Sequence, residues 1–243
     1  MNNINNMNNV SSIQNALYIN LESRKDRRTH VEAQLAALKN AEHNGMPNLV
    51  AERFNAIKHV VHGAIGCSMS HMRCIQIAKE RGWDHVLICE DDVLFTNVPL
   101  FLEQLAKFMA TVPAWDVVLL AGNNIPPFRV VNNACIQVNH CQTTTAYIVR
   151  SHYYDALIAN YRAGLNKLMR NPTQRLDYAI DRYWFELQIR DRWFLITPLS
   201  VVQREDYSDI EQSFTNYGHL MLDLDKTQMM RRRMEPIPMQ LKK

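Results

Sequence analysis

VLICEDDV, residues 86–93, decides the fold: the stretch begins as an apolar run and ends in three acidic residues. An apolar run of this length after the turn signal at residues 82–84 is typical of a strand buried in a parallel sheet. Ligands bind beyond the carboxyl ends of such strands. Glu90, Asp91 and Asp92 would repel one another there unless a cation such as Mg²⁺ or Mn²⁺ compensates their charge. The alternative is a strand followed by a solvated acidic turn.

The composition is that of a globular protein, with 243 residues of which 47% are hydrophobic, enough for one large α/β domain. The net charge of +3 is too small to indicate nucleic-acid binding. Five cysteines without C-x-x-C spacing indicate buried free thiols in a reducing compartment rather than a zinc site. No apolar stretch reaches the ~20 residues of a membrane span, and no signal peptide is evident, so we expect a cytoplasmic location.

We predict three segments: a disordered Asn-rich leader over residues 1–14, a single domain over residues 15–216, and a basic tail over residues 217–243. The tail could make a peripheral contact with an anionic membrane, and a solvated tail or an oligomer contact is the alternative. Its basic residues are Arg231, Arg232, Arg233, Lys242 and Lys243.

A predicted strand over residues 16–21 runs into a basic helix start, where Ser23 is the predicted N-cap. Free backbone N–H groups at a helix start favour anions, and arginine adds bidentate phosphate contacts. Positive charge at this end opposes the helix dipole, so a bound diphosphate or nucleotide would explain it better than a solvated turn. The basic residues are Arg24, Lys25, Arg27 and Arg28.

Two further predicted helices carry candidate polar residues. The first runs to about residue 81, and Ser70, His71 and Arg73 lie near its start, although a lone histidine on a helix is usually structural. The second covers residues 175–185, where Asp177 and Asp181 are one turn apart and share a face. Ordinary ion pairs with neighbouring arginines are the alternative for both acids.

Several stretches, in this order, resemble glycosyltransferase family 25, which includes bacterial lipooligosaccharide galactosyltransferases and procollagen galactosyltransferases. They span about residues 16–209 and are YINL (18–21) with Arg27 and Arg28, GCSMSH (66–71), EDDV (90–93), TTAYIV (144–149), and Asp177 with Gln203. The resemblance implies a GT-A fold, a Rossmann-like α/β domain with a mostly parallel central sheet flanked by helices.

The resemblance also implies a metal-dependent, inverting transfer of a hexose, galactose or glucose, from a UDP-sugar to a carbohydrate or hydroxyl-bearing acceptor. That acceptor would be a glycan, a glycolipid or a hydroxylysine-type group. The alternative is a catalytically inactive nucleotide-sugar-binding or scaffold protein with the same fold.

The implied cofactor is Mn²⁺ (or Mg²⁺), held by Asp92 with Asp91 and Glu90. Asp177 is the implied catalytic base, and Asp181 is the second choice. The residues expected at the nucleotide site are Ile19, Asn20, Leu21, Arg24, Arg27, Arg28, Ser70, His71, Arg73 and Asp91.

Overall fold

The structure is a computed structural model that describes residues 9–60, 62–208 and 213–226. The strands are β1 (Asn15–Asn20), β2 (Val50–Asn55), β3 (His85–Glu90), β4 (Val93–Phe95), β5 (Val117–Leu119), β6 (Asn123–Asn124), β7 (Arg129–Val130), β8 (Cys135–Gln137), β9 (Cys141–Gln142), β10 (Ala146–Arg150), β11 (Trp193–Ile196), β12 (Val201–Gln203), β13 (Asp206–Ser208) and β14 (Ser213–Thr215). The α-helices are α1 (Lys25–Lys39), α2 (Gly63–Glu80), α3 (Val98–Thr111), α4 (Tyr154–Arg170), α5 (Arg175–Tyr178), α6 (Ile180–Tyr183), α7 (Phe185–Arg190) and α8 (Gly218–Met221).

The central sheet has eight strands in the order β2-β1-β3-β10-β5-β11-β8-β7. Strands β10 and β8 run antiparallel to their neighbours, and the other six strands point the same way. The sheet is therefore mixed but mainly parallel. The predicted fold class, a Rossmann-like GT-A α/β fold, is confirmed, and the apolar run before the acidic triplet forms the inner strand β3 as predicted.

Helices cover both faces of the sheet, which explains why its inner strands read as continuous apolar runs. Along β3, Leu87 and Cys89 pack in one core with α1 and α3, whereas Val86 and Ile88 pack in the other core with α2 and α4. All four side chains are 0% exposed. Burying an aliphatic side chain of this size stabilises a fold by about 1.5–3 kcal/mol, so β3 anchors both cores.

The long helices pack one side on the sheet and turn charged side chains outward. Helix α4, for example, buries Leu157 and Leu165 and exposes Arg162 and Lys167. This arrangement is typical of surface helices in water. Among the described helices, none combines the length and the apolar character that crossing a bilayer requires.

The folded domain extends beyond the predicted boundaries at both ends. Val10 and Ile13 are 0% exposed, so the predicted disordered leader over residues 1–14 is too long. Met221 is 0% exposed and packs in the first core, so the start of the predicted tail belongs to the domain. Single apolar residues in polar stretches make these contacts, and the composition of the stretches concealed them. The basic residues of the tail, 231–233 and 242–243, and residues 1–8 lie outside the described residues.

The predicted helix over residues 175–185 is wrong. It is split into short helices, because Ala179 between α5 and α6 has an extended backbone with φ −58° and ψ 148°. Asp177 and Asp181 therefore do not share one helical face. Ile180 and Trp184 are buried in the second core, and this packing overrides the local helical pattern.

Candidate active site

A cleft of about 750 Å³ opens at the carboxyl edge of the sheet, between the ends of β1 and β3 and the start of α2. The predicted site residues that line it are Ile19, Leu21, Arg27, Ser70, His71, Glu90, Asp91 and Asp92. The fold thus brings the first strand-to-helix junction and the acidic triplet to one place. A cleft of this volume is within the range that small-molecule ligands occupy.

Asp91 is held from two sides directly after β3. Its carboxylate accepts hydrogen bonds from Asn20 Nδ2 at 2.7 Å and from Arg27 Nη1 at 3.0 Å. Asn20 also donates to the carbonyl oxygen of Arg24 at 2.9 Å and accepts from Arg53 Nε at 3.0 Å. Burial raises the pKa of Asp91, and the bonds from Asn20 and Arg27 oppose that rise. The end of β1 and the start of α1 therefore fix this carboxylate in one orientation.

Asp92 differs from Asp91 because one of its oxygens is left without a partner. Oδ2 accepts hydrogen bonds from Gln203 Nε2 at 2.9 Å and from Arg27 Nη1 at 3.3 Å. Oδ1 is buried and has no hydrogen-bond partner among the described residues. Burial and the neighbouring Glu90 carboxylate raise the pKa of Asp92 to about 7. A buried oxygen without a hydrogen-bond partner lowers the free energy of unfolding by about 1–3 kcal/mol, so its presence needs an explanation.

Arg27 is the buried cation of this acidic cluster, with only 9% of its surface exposed. Besides Asp91 and Asp92, its guanidinium contacts Asp206 Oδ2 at 3.2 Å and the carbonyl oxygen of Tyr207 at 2.9 Å. Burial lowers the pKa of Arg27, but the Asp92 and Asp91 carboxylates outweigh burial and raise it above its ordinary value. Arg27 therefore stays charged and ties β13 to the acidic triplet.

The start of α1 differs from the prediction. Its N-cap is Arg24 rather than Ser23, and no side chain caps the helix. Arg24 Nη2 pairs with Asp206 Oδ2 at 3.1 Å, which directs the side chain toward β13. Arg28 is half exposed and pairs with Glu32 at 2.9 Å. The predicted nucleotide contacts Arg24 and Arg28 thus have carboxylate partners and lie outside the residues that line the cleft.

The start of α2 packs closely against the segment that follows β2. A Cβ atom at Gly66 would lie 2.2 Å from the carbonyl oxygen of Ile57, so this approach requires glycine. Ser70 Oγ fixes the same contact, since it accepts from Ile57 N at 2.8 Å and donates to the Gly66 carbonyl at 2.7 Å. Arg73 is half exposed and pairs with Glu80 at 2.6 Å. Ser70 therefore holds a wall of the cleft, and Arg73 lies outside its lining.

Glu90 belongs to a separate network with α2 and β10. Its Oε1 accepts a hydrogen bond from Thr144 Oγ1 at 2.6 Å and lies 3.0 Å from His71 Nε2. His71 is 0% exposed, and its Nδ1 lies 2.9 Å from the Tyr147 hydroxyl. Cys67 Sγ lies 3.8 Å from the same Glu90 oxygen. One oxygen of Glu90 is thus committed to this network rather than to the aspartates.

The two predicted catalytic acids have different surroundings. Asp177 is exposed on α5. Asp181 is half-buried on α6, and its Oδ2 accepts a hydrogen bond from the backbone N–H of Thr143 at 3.1 Å. Burial raises the pKa of Asp181, and the nearby Glu90 carboxylate adds to the rise. Asp181 is therefore close enough to feel the charge of Glu90, although neither Asp181 nor Asp177 is among the residues that line the cleft.

Residues 13–162 match the family model described as glycosyltransferase family 25 (LPS biosynthesis protein). The chain belongs to glycosyltransferase family 25. The resemblance seen in the sequence motifs is thereby confirmed, and the protein is a glycosyltransferase. No curated protein gives a significant match.

Several solved structures show a distant similarity to this family 25 member. Mannose-1-phosphate geranyltransferase from Thermus thermophilus has a TM-score of 0.42 and 9% identity, over 76% of this chain and 73% of that chain. A glycosyltransferase involved in the glycosylation of the major capsid of PBCV-1 has a TM-score of 0.40 and 11% identity, over 76% and 94%. A Drosophila beta-1,4-galactosyltransferase 7 mutant in complex with manganese, UDP-Gal and xylobiose has a TM-score of 0.40 and 11% identity, over 90% and 79%.

The carboxylates of this family 25 member fit a hard divalent cation. Asp92 Oδ1 is the buried oxygen without a partner, and Asp91 lies beside it in the lining of the same cleft. Carboxylate oxygens are the ligands that Mg²⁺ and Mn²⁺ prefer. A cation bound to Oδ1 would satisfy the one oxygen of Asp92 that the protein leaves unbonded.

Sequence reasoning missed two residues that complete the acidic cluster. Asp206 and Tyr207 contact Arg27 from β13, in a stretch whose polar composition predicts only a loop. Gln203, seen only through the family resemblance, reaches Asp92 because β12 pairs with β4 and brings Gln203 opposite Val93. An apolar pair followed by a glutamine was the only local signal for this strand.

Proposed function

We propose that this family 25 glycosyltransferase transfers a hexose, galactose or glucose, from a UDP-sugar to the hydroxyl group of a glycan, glycolipid or hydroxylysine-type acceptor. We further propose that the transfer inverts the sugar carbon and requires Mn²⁺ or Mg²⁺. The observation that carries the proposal is Asp92 Oδ1, a buried oxygen without a hydrogen-bond partner among the described residues, on a side chain that lines the cleft. A divalent cation at that oxygen would neutralise the charge that develops on the leaving diphosphate.

In this proposal Asp92 and Asp91 bind the cation, and hydrogen bonds from neighbouring side chains orient the two carboxylates. Asn20 and Arg27 both bond to Asp91, so its carboxylate is oriented before any ligand arrives. Gln203 fixes Oδ2 of Asp92 and leaves Oδ1 for the cation. Such preorganisation lowers the cost of reaching the transition state, because the charged groups need not rearrange during the reaction.

The nucleotide would lie along the end of β1. Ile19 and Leu21 line the cleft on either side of Asn20, and the cleft continues to the start of α2. Lys58 and His59 line this continuation and supply polar and basic side chains near a diphosphate. Among the arginines predicted for the nucleotide site, Arg27 is the one that lines the cleft, and it acts by orienting the aspartates.

We propose Asp181 as the base that takes the proton from the acceptor hydroxyl, with Asp177 as the second candidate. Support comes from burial, which raises the pKa of Asp181 and makes it a better proton acceptor, while the backbone hydrogen bond to Oδ2 orients the carboxylate and partly opposes that rise. Asp181→Asn should slow transfer by about 10²–10⁴-fold and leave UDP binding unchanged. Asp177→Asn is the matched control and should stay within a few-fold of wild type; the reverse result would exchange the two roles.

The proposal is tested by incubating the protein with Mn²⁺ and UDP-galactose or UDP-glucose while following UDP release, with GDP-mannose as the donor control. We expect release from one UDP-hexose, loss of activity with EDTA, and recovery with Mn²⁺. Because the donors carry an α-linked sugar, NMR of the first product should show the β anomer. Mn²⁺-dependent UDP binding without turnover would favour the inactive scaffold, and absence of UDP binding would overturn both readings.

A further inference from the structure

Three side chains of metal-binding type meet in the wall of the cleft, next to the aspartates but bonded separately. Cys67 and His71 are four residues apart on α2 and share one face of the helix, which turns toward the end of β3. Glu90 closes the group from β3. The sulfur, an imidazole nitrogen and a carboxylate oxygen all lie within 4.8 Å of one another.

The distances within this group match those between the ligands of one small cation. His71 Nε2 lies 3.0 Å and Cys67 Sγ 3.8 Å from Glu90 Oε1. Zinc bonds of about 2.0–2.3 Å in tetrahedral geometry hold ligand atoms roughly 3–4 Å apart. Small side-chain rotations would therefore bring the three atoms to bonding distance of one ion.

We propose that Cys67, His71 and Glu90 form a binding site for Zn²⁺ that is distinct from the Asp91–Asp92 carboxylates. A thiolate, an imidazole and a carboxylate are the ligand types that zinc combines, whereas Mn²⁺ and Mg²⁺ favour oxygen ligands alone. All three residues line the cleft, so the fourth coordination position would face the space where a substrate binds. The proposal rests on these residues and does not depend on the UDP-sugar reaction.

Neighbouring hydroxyl groups support the geometry of the group. The Tyr147 hydroxyl lies 2.9 Å from His71 Nδ1, which orients the ring so that Nε2 faces Glu90. The Tyr161 hydroxyl donates to Tyr147 at 3.3 Å. Second partners of this kind orient metal-binding histidines and raise metal affinity.

The cysteine would change its protonation state on binding zinc. Burial raises the pKa of the Cys67 thiol well above its ordinary value, so without a metal the sulfur keeps its proton. Zn²⁺ binding would form the zinc–sulfur bond and release that proton to water, and the proton of the neutral His71 ring would lie on Nδ1, toward the Tyr147 hydroxyl, so that Nε2 can bind the ion. This site was not predicted from the sequence, because the prediction relied on the C-x-x-C spacing of paired cysteines, whereas here the ligand Glu90 comes from a distant strand.

The test uses the full-length protein, freed of metal with a chelator, kept reduced with a phosphine, and titrated with Co²⁺ as a coloured substitute for Zn²⁺. We expect one equivalent of Co²⁺ to give the near-ultraviolet charge-transfer absorption of a cobalt–thiolate bond, and one equivalent of Zn²⁺ to remove it. Cys67→Ala should abolish this absorption. Cys74→Ala is the matched control, because Cys74 is a second cysteine on α2 that is buried outside the group.

Two further variants separate the outcomes. Asp92→Asn removes a ligand of the proposed Mn²⁺ site but none of the zinc site, so this variant should keep the cobalt–thiolate absorption. The zinc proposal can therefore hold even if the UDP-sugar proposal fails. Tyr147→Phe should weaken Zn²⁺ binding by about 10–100-fold in competition with a chromophoric chelator.

If Cys67→Ala does not fold, a measurement on the wild type takes its place. Bound Zn²⁺ should protect Cys67 from an alkylating reagent, and mass spectrometry maps that protection. A wild type without the absorption, or one whose absorption survives Cys67→Ala, would overturn the zinc site.

Discussion

The two edges of the central sheet each bury an aspartate, and only one of these is fully hydrogen-bonded. Asp116 precedes β5 and Asp92 follows β3, and each is 5% exposed. The Asp116 carboxylate accepts hydrogen bonds from the Arg192 backbone N at 2.9 Å, from Arg192 Nη2 at 2.6 Å and from His152 Nε2 at 2.8 Å. Asp92 Oδ1 has no partner among the described residues.

The pKa values of the two aspartates follow from this difference in hydrogen bonding. Burial raises the pKa of Asp116, but the bonds from Arg192 and His152 outweigh burial and lower it below its ordinary value. Burial and the Glu90 carboxylate raise the pKa of Asp92 to about 7. Residue type and exposure are the same, so the number of donors and the neighbouring carboxylates together separate a structural carboxylate from one available to a ligand.

The carboxyl edge should depend on Arg27 as its compensating cation. Arg27→Ala leaves the carboxylates of Asp91, Asp92 and Asp206 without their shared guanidinium, and we expect a loss of about 3–5 kcal/mol in the free energy of unfolding at neutral pH. Urea denaturation measures this loss. Arg28→Ala is the matched control and should leave the free energy of unfolding nearly unchanged, because Arg28 is half exposed in a helical pair. Equal losses in both variants would refute the buried role of Arg27.

The amino edge should be sensitive to acid through His85, the first residue of β3. Its Nε2 accepts a hydrogen bond from the backbone N–H of Gln14 at 3.0 Å, and burial lowers its pKa from 6.5 to about 4. Between these values the unfolded chain binds one proton more than the folded protein, so the free energy of unfolding rises with pH. The contribution of His85 is fully present above about pH 6.5, and about 3 kcal/mol is lost as the pH falls through 4.

Urea denaturation of the wild type and of His85→Gln at pH 7 and pH 4.5 measures the His85 contribution. The wild type should lose more stability than the variant between the two pH values, because glutamine does not titrate in this range. The difference between the two losses isolates His85 from the carboxylates that also titrate. Identical pH dependence in the two proteins would contradict the assignment.

Asp116→Asn should destabilise the fold without affecting transfer. It removes the charge that four hydrogen bonds use, at an expected cost of about 1–3 kcal/mol, with the exposed cation partners limiting the loss. Thermal unfolding measures the stability of the variant, and the rate of UDP release per folded molecule measures its transfer activity. Reduced transfer at unchanged stability would mean that the amino edge also carries function, and the comparison of the two edges would fail.

Local patterns in the sequence predicted the parts of the site that strand order determines. The apolar run before Glu90 and the strand before Asn20 became β3 and β1, which are adjacent and parallel, so their ends had to meet. The choice between Arg27 and Arg28 could not be made from the sequence. Consecutive helical residues point about 100° apart, and only the position of α1 over the sheet decides which arginine is buried.

Contacts between distant segments account for what the sequence could not predict. Asp177 and Asp181 read as one helix, but packing of Ile180 splits the segment at Ala179. Asp206 accepts a hydrogen bond from Arg27, which lies 179 residues earlier in the chain, and nothing in the residues around Asp206 indicates that contact. Such contacts arise from the tertiary fold, and a single sequence carries no periodic signal for them.

Calorimetry of UDP binding in the presence of Mn²⁺ tests most directly whether the unbonded oxygen of Asp92 holds the cation. Asp92→Asn removes its charge with little change in shape, and Asp116→Asn makes the same change at the opposite edge of the sheet. We predict that Asp92→Asn weakens Mn²⁺-dependent UDP binding by about 100-fold or more while its free energy of unfolding does not fall, and that Asp116→Asn binds UDP like the wild type. An Asp92→Asn variant with the affinity and the Mn²⁺ dependence of the wild type would contradict the account.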